Sequence, residues 1–300
     1  MANFNVNRKN ANPIIMHTNY CGNSPEIEYM FEKAKSWGYD GVECHVESSI
    51  NKYESPKDYI ADVKKYSEKY GIGRIHFGYS FTEAGASDIA TRDNAVSKAA
   101  AFFSLAKDIL GVELCNIAAG GYILSKEEGV HPFDFDRHGS AAASESDIAN
   151  FTDSLKKLAA HLEKIGIKVA LETHMNLIHD TPEATIRLIE LIGSPNVGVN
   201  MDYGNYYWHQ RCKSLEETFK IYEGRILYFH LKNAIKLPNF VRFQTQLGEG
   251  QINHREYLSL IKKYDIKAPI VLESPRDGDR EWYAKEDIAY IKSVMDDIGF

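Results

Sequence analysis

Short apolar runs alternate with amphipathic stretches along the whole chain, at intervals of about one strand–helix unit. The runs predict eight strands, at Ile14–His17, Gly41–His45, Arg74–Phe77, Glu113–Ile117, Lys168–Glu172, Gly198–Asp202, Leu227–Leu231 and Ile270–Glu273. The stretches between them carry helix signals. Ser24-Pro25-Glu26 and Thr181-Pro182-Glu183 each offer a capping hydroxyl, a proline for the first helical position and an acid for the first turn. From Thr181 onward, Ala184, Ile186, Ile189, Leu191 and Ile192 fall near one helical face, and 90–110 and 148–165 are similarly amphipathic. Gly38, Gly71, Gly111 and Gly166 stand where left-handed caps would end the helices.

Eight such units in 300 residues predict an α/β protein, a single-domain (β/α)8 barrel over 13–300, preceded by a polar, Asn-rich extension at 1–12. A doubly wound open sheet is the alternative, but no glycine-rich phosphate loop follows the first strand. The loops at 118–143 and 233–253 are long, and such loops on the C-terminal face of a barrel are where sites are built.

Four runs in the second half break off on a metal-binding side chain: Glu172, Asp202, His230 and Glu273, spaced 30, 28 and 43 residues apart. A buried strand tip gains nothing from an unpaired carboxylate, which costs several kcal/mol. Three carboxylates and an imidazole on consecutive strand ends therefore predict a divalent-metal cage, with a donor set suited to Mn²⁺, Mg²⁺ or Co²⁺ and compatible with Zn²⁺.

Alternation along a strand puts His174 on the side of Glu172, Lys232 on that of His230, and Asn200 one layer beneath Asp202. His174 and Lys232 are candidates to hold substrate oxygens or to orient a ligand. Glu43 and His45 end the second strand and His76 the third, and one of them is expected to face the pocket. The loop Tyr122–Ser140 mixes His131, Asp134, Asp136, Arg137 and His138 with Phe133 and Phe135, as a lid, a substrate wall or an oligomer contact would. Trp208 and His209 either wall off a sugar ring or pack.

The net charge of −7 and pI near 5.9 argue against a nucleic-acid partner. No segment approaches the roughly 20 apolar residues that cross a bilayer, and the N-terminus lacks the apolar core of a signal peptide. Cys21, Cys44, Cys115 and Cys212 have no Cys-x-x-Cys spacing. A soluble, cytoplasmic enzyme is expected, with no nucleic-acid or membrane partner.

Leu171-Glu172-Thr173-His174, Thr181-Pro182-Glu183-Ala184, the run Gly193–Asn205 (including Asn200-Met201-Asp202-Tyr203-Gly204-Asn205), Phe229-His230-Leu231-Lys232, Leu247-Gly248-Glu249-Gly250 and Leu272-Glu273 together resemble the xylose-isomerase-like barrels of sugar phosphate isomerases and epimerases. That resemblance implies that Glu172, Asp202, His230 and Glu273 bind one Mn²⁺ or similar ion. It also implies that Glu172 and Glu273 exchange protons with a keto-sugar by enediolate chemistry, giving isomerisation or epimerisation. Two positions depart from the epimerases: Asn205 replaces a histidine and Lys236 an arginine, both substrate contacts there. A narrower lyase version is the C-glycoside deglycosidase catalytic subunit, which cleaves 3-oxo-sugars by elimination. It would use a loop histidine, His138 here, as base and pair with a small β-rich subunit; otherwise a homo-oligomer is expected. A sugar-binding barrel without catalysis is the third reading. The substrate, a small sugar or glycoside, is expected to meet His174, Lys232, Asn205, Glu43 and Trp208.

Overall fold

Eight parallel strands hydrogen-bond into a closed ring in the order β1–β10–β7–β6–β5–β4–β3–β2. They are β1 (Ile14–His17), β2 (Gly41–His45), β3 (Arg74–Phe81), β4 (Leu114–Ala119), β5 (Lys168–Glu172), β6 (Val197–Asp202), β7 (Ile226–Leu231) and β10 (Ile270–Leu272). A two-stranded antiparallel ribbon, β8 (Ala234–Lys236) and β9 (Arg242–Gln244), stands apart from the ring. The main helices are α1 (Ile27–Trp37), α2 (Pro56–Tyr70), α3 (Ile89–Leu110), α4 (Glu145–Lys164), α5 (Pro182–Ile192), α6 (Leu215–Ile221), α7 (His254–Lys263) and α8 (Arg280–Asp297). This is the (β/α)8 barrel, in one domain. The computed structural model describes residues 11–238, 242–274 and 276–300, so most of the expected N-terminal extension lies outside the described residues. Asn12, at the edge of that extension, is buried and donates to the carbonyls of Ile266 and Ala268 beneath the barrel.

Local chemistry explains most element boundaries. Thr181 Oγ1 accepts the Ala184 N–H, and Pro182 opens α5 as expected; losing such a cap costs about 1 kcal/mol. The start of α1 differs from the expectation. It begins at Ile27, with Glu26 at the cap position and no side-chain cap, and the carbonyls of Ser24 and Pro25 instead accept from Lys52 and Ser49 of the neighbouring loop. β3 runs four residues further than its apolar core, since Gly78–Phe81 find partners along Asn116–Ala119. The β8–β9 ribbon falls inside the long loop and carries no sequence signal of its own.

Alternation divides each strand between two environments. Outward residues such as Met16, Cys44, Phe77, Val199 and Phe229 join the core shared with the helices. Inward, Ile15, Ala170, Tyr228 and Val271 form a small apolar plug in the barrel axis. Above the plug the inward residues turn polar, and the site lies there. Gly78 permits this layer to close: a Cβ on it would sit 2.8 Å from Glu43 Oε1. All four cysteines are free thiols, with Cys44 and Cys115 buried in strands. Among the described residues no helix is long and apolar enough to cross a membrane.

Candidate metal centre

Pairing register brings the four strand-end residues together. Asp202 lies opposite His230, Glu172 opposite Asn200, and the Glu273 N–H donates to the Leu231 carbonyl. Neighbouring strands run about 4.8 Å apart, so inward side chains on consecutive tips share one space. Accordingly, one ligand atom from each of Glu172, Asp202, His230 and Glu273 lies within 4.8 Å of the others.

The imidazole shows how the cluster fits a cation. His230 Nε2–H donates to Glu43 Oε2 at 3.0 Å, which leaves Nδ1 facing Glu273 Oε2 at 2.6 Å. Both of these atoms are buried without a hydrogen-bond partner among the described residues. Two acceptors that close need positive charge between them, a proton or a metal ion. Burial opposes a charged imidazole, but Glu43, Glu172 and Glu273 outweigh it and raise the proton affinity of His230 well above the usual range. The same carboxylates favour a metal ion at Nδ1, and a carboxylate behind the far ring nitrogen is the usual way to orient a ligating histidine. Lys232 already marks the cationic position. Its Nζ lies 2.6 Å from Asp202 Oδ2, 3.1 Å from Glu273 Oε2 and 3.7 Å from Glu172 Oε1. Three oxygens and one imidazole nitrogen fit a divalent ion of the manganese or magnesium type.

The carboxylates differ in setting. Glu172 takes hydrogen bonds on both oxygens, from Asn205 at 3.1 Å and Asn116 at 2.9 Å. Against the effect of burial, His230 and Lys232 hold it well below the ordinary carboxylate range. Glu273 is also held down, by Lys232 and the imidazoles of His17 and His230, and its Oε1 accepts from Asn19 at 3.1 Å. Asp202 is pushed up to about 7, chiefly by burial. Its Oδ1 caps the short helix that follows by accepting the Asn205 N–H at 2.8 Å.

Asn205, which stands where the epimerase pattern has histidine, knits the cage together: it donates to Glu172 and Asp202 and accepts from Lys232 at 3.2 Å. His174 lines the cavities on both sides of the cage. Its Nδ1–H donates to the Met175 carbonyl, leaving Nε2 an acceptor, and burial keeps the ring neutral by lowering its pKa. Trp208 lines the smaller cavity with Lys232 and Asn205. Glu43, a candidate substrate contact, is fully buried, accepts from His230 and Asn116, and lines neither of the two cavities beside the cluster. His138 is not brought to the cage. Its Nδ1 accepts the Ser125 N–H, Nε2 bonds the His131 carbonyl, and it lines a separate cavity with Asp180 and His209. Lys236 is held by the carbonyls of Tyr207 and His209. His76 packs on Tyr228 in the plug and is neutralised by burial, with its pKa near 4.

Sequence reasoning missed His17, Asn19, Asn116 and Tyr122. His17 had a signal: it ends the run Ile14-Ile15-Met16 just as the four candidate ligands end theirs. Its Nδ1 accepts the Asn19 N–H, so Nε2–H points toward Glu43 Oε1, 3.7 Å away, and the large cavity.

A sequence profile described as the xylose isomerase-like TIM barrel matches residues 31–294. The chain belongs to that family. Among curated relatives, this barrel is 28% identical over 165 residues to an inosose dehydratase from Glaesserella parasuis serovar 5 (strain SH0165), covering 49% of this chain and 54% of that protein. The chain thus spans about half the length of the curated relatives it matches. Among solved structures, an L-ribulose 3-epimerase superposes with a TM-score of 0.74 at 17% identity, covering 95% of each chain. A xylose isomerase-like barrel from Mycobacterium smegmatis, in complex with magnesium, superposes with a TM-score of 0.73 at 17% identity, covering 94% of this chain and 96% of the other. At these identities the superpositions speak for the fold. Epimerases and dehydratases both occur among the barrel's neighbours, and a metal-dependent, sugar-modifying enzyme is consistent with all of them.

Proposed function

We propose that this barrel is a divalent-metal-dependent isomerase or epimerase of keto-sugars, working by proton transfer next to a carbonyl. Glu172, Asp202, His230 and Glu273 hold the ion, with Mn²⁺ the cation favoured by the oxygen-rich set. The observation that carries this reading is the arrangement of two carboxylates, Glu172 on β5 and Glu273 after β10, at the two outer ends of a four-ligand cluster. A divalent ion in such a cluster supplies Lewis acidity to a carbonyl oxygen.

The remaining work falls to the side chains. Glu273, anchored through Oε1 by Asn19, takes the proton from the carbon beside the carbonyl. Glu172, once it has taken up a proton from solvent, delivers that proton to the opposite face of the carbon, and Glu273 releases its own to solvent; the orientation of Glu172 is set by Asn116 and Asn205. Both are carboxylates at neutral pH because their cationic neighbours hold their proton affinity down. His174 Nε2 accepts from a substrate hydroxyl, and the Lys232 ammonium stabilises negative charge on a substrate oxygen.

A lyase reading has its own support. The neutral His174 nitrogen on both cavities is suited to a second proton transfer, and the partial likeness to an inosose dehydratase points the same way. The two outcomes separate in one experiment. Manganese-loaded protein is incubated with a ketose panel in D₂O and followed by NMR: isomerisation or epimerisation puts deuterium beside the carbonyl, whereas elimination releases water and leaves an unsaturated ketone. Glu273→Gln is expected to slow either by about a hundredfold or more. Full turnover in that variant, or a purified protein that binds no divalent metal, would sink the proposal.

A further inference from the structure

The bonding pattern that marks the metal centre occurs a second time, away from it. In the cage, one nitrogen of His230 gives its proton to Glu43 while the other faces Glu273, and both facing atoms lack a hydrogen-bond partner among the described residues. In the loops at the same end of the barrel, His209 Nδ1 lies 3.2 Å from Asp136 Oδ1, which keeps the proton on that nitrogen. His209 Nε2 therefore presents a lone pair, and it faces Asp180 Oδ2 at 3.8 Å. Both of these atoms are buried, and neither has a hydrogen-bond partner among the described residues. The other Asp180 oxygen accepts the Ser140 N–H at 3.2 Å. Leaving two such groups unpaired costs about 1–3 kcal/mol each, so something belongs between them. A shared proton does not fit, because a hydrogen bond needs a separation of about 3.2 Å or less. A metal ion does. Zinc stands about 2.1 Å from an imidazole nitrogen and from a carboxylate oxygen, and two such bonds span the gap.

We propose that Asp180 and His209 hold a second divalent ion of the zinc type, with Asp136 orienting the imidazole from behind and solvent completing the shell. A carboxylate on the far ring nitrogen is the usual support for a ligating histidine, and a mixed nitrogen and oxygen pair suits zinc or cobalt. The cavity beside the pair, about 220 Å³ and lined also by Phe135, Ser140 and Tyr206, has room for the remaining ligands. Two cationic side chains stand on its wall, but Lys213 is paired with Glu183 at 2.7 Å and Arg211 lies beside Asp136, whose proton affinity it helps to lower. Gly139 lets its loop close over the site, since a Cβ on it would overlap Asp180 Oδ2. Asp136, Asp180 and His209 come from the consecutive loops after β4, β5 and β6, so the ion clasps all three. The same loops carry Tyr122 and Leu177 of the larger cavity and Trp208 of the smaller one, and the clasp thereby fixes walls on both sides of the cage.

Counting bound zinc tests the site. Protein stripped with a chelator is dialysed against Zn²⁺, and the metal retained per chain is measured by mass spectrometry. Wild type is expected to hold two ions, and His209→Gln and Asp180→Asn one each. Asp180→Asn relieves a buried, unpaired carboxylate in the metal-free protein, so it is the variant least exposed to a folding defect. His230→Gln, which disables the cage, should also hold one ion, and His230→Gln combined with His209→Gln none. Zinc should raise the unfolding midpoint of His230→Gln by several degrees and leave that of the double variant where it was. One ion in wild type that His209→Gln and Asp180→Asn both retain overturns the clasp and leaves the cage standing. Two ions in wild type and in both of these variants overturn it as well. One ion in wild type that His230→Gln keeps and His209→Gln loses supports the clasp and overturns the cage.

Discussion

Lys232→Met tests the electrostatics of the cage most directly. The ammonium is almost wholly enclosed, with Asp202, Glu273 and Glu172 oxygens at 2.6, 3.1 and 3.7 Å and Asn205 Oδ1 at 3.2 Å. These neighbours raise its pKa well above the usual range although burial works against it. Deleting one partner of a buried pair costs about 3–5 kcal/mol. The metal-free protein should bear most of that loss, because there the ammonium is the principal counter-charge to three carboxylates. A divalent ion neutralises the same carboxylates, so the loaded variant should lose much less. The difference passes to metal affinity. Protonation of Asp202, whose pKa already stands near 7, recovers part of the loss in the metal-free variant, which leaves roughly 1.4–3 kcal/mol, or a ten- to hundredfold tighter binding of Mn²⁺. Competition against a fluorescent chelator measures the affinity, and thermal unfolding with and without manganese measures the two stabilities. The expected pattern is a metal-free midpoint several degrees below wild type and a loaded midpoint close to it. Unchanged or weaker manganese binding, with an unchanged metal-free midpoint, would refute the view that Lys232 and the metal compete for one position.

Three further substitutions probe the layers around the cage. Glu43→Gln keeps an acceptor for His230 Nε2–H but removes the charge behind the ring, so manganese affinity should fall by about 10–100-fold; an unchanged titration would deny Glu43 that role. Asp180 is buried against Ser140 and His209, and burial pushes its pKa up to about 6 from 3.8, so its contribution to stability is full below about pH 4 and lost as pH rises through 6. Asp180→Asn should therefore stabilise the protein by roughly 2–3 kcal/mol at pH 7.5 and by little at pH 4 in urea unfolding; an equal effect at both values would contradict the assignment. Asn233 donates to the Leu247 and Ile252 carbonyls and accepts from the Ala234 and Ile252 N–H groups, fastening the loop that carries β8 and β9. Asn233→Ala should cost about 3–4 kcal/mol, seen as a lower urea midpoint; a loss under about 1 kcal/mol would mean that the loop holds without it.

Much of the site was legible because strand periodicity and metal chemistry point the same way. Glu172, Asp202, His230 and Glu273 end apolar runs, and a charge at a buried strand tip needs a partner. His174, Lys232 and Asn200 followed from the two-residue repeat. What sequence reasoning placed less well depended on which way a loop turns. His138 looked like a base on a polar loop, yet its two nitrogens are spent on Ser125 and His131 of that same loop. Glu43 looked like a substrate contact, but it is fully buried, with its two oxygens engaged by His230 Nε2–H and Asn116.

The linear order of residues determined the eight strands, most of the expected helix caps, the barrel and the four convergent candidate ligands, since each rests on a local period or a strand-end charge. Only the tertiary structure decided that the Lys232 ammonium sits among the Glu172, Asp202 and Glu273 carboxylates, that Asn205 braces Glu172 and Asp202 together, and that cavities of about 450 and 210 Å³ flank the cluster. Those features arise between different strand ends, 27 residues apart for Lys232 and Asn205 and 187 apart for His230 and Glu43. Contacts at such separations are set by barrel closure and side-chain direction, which no local pattern in the chain encodes.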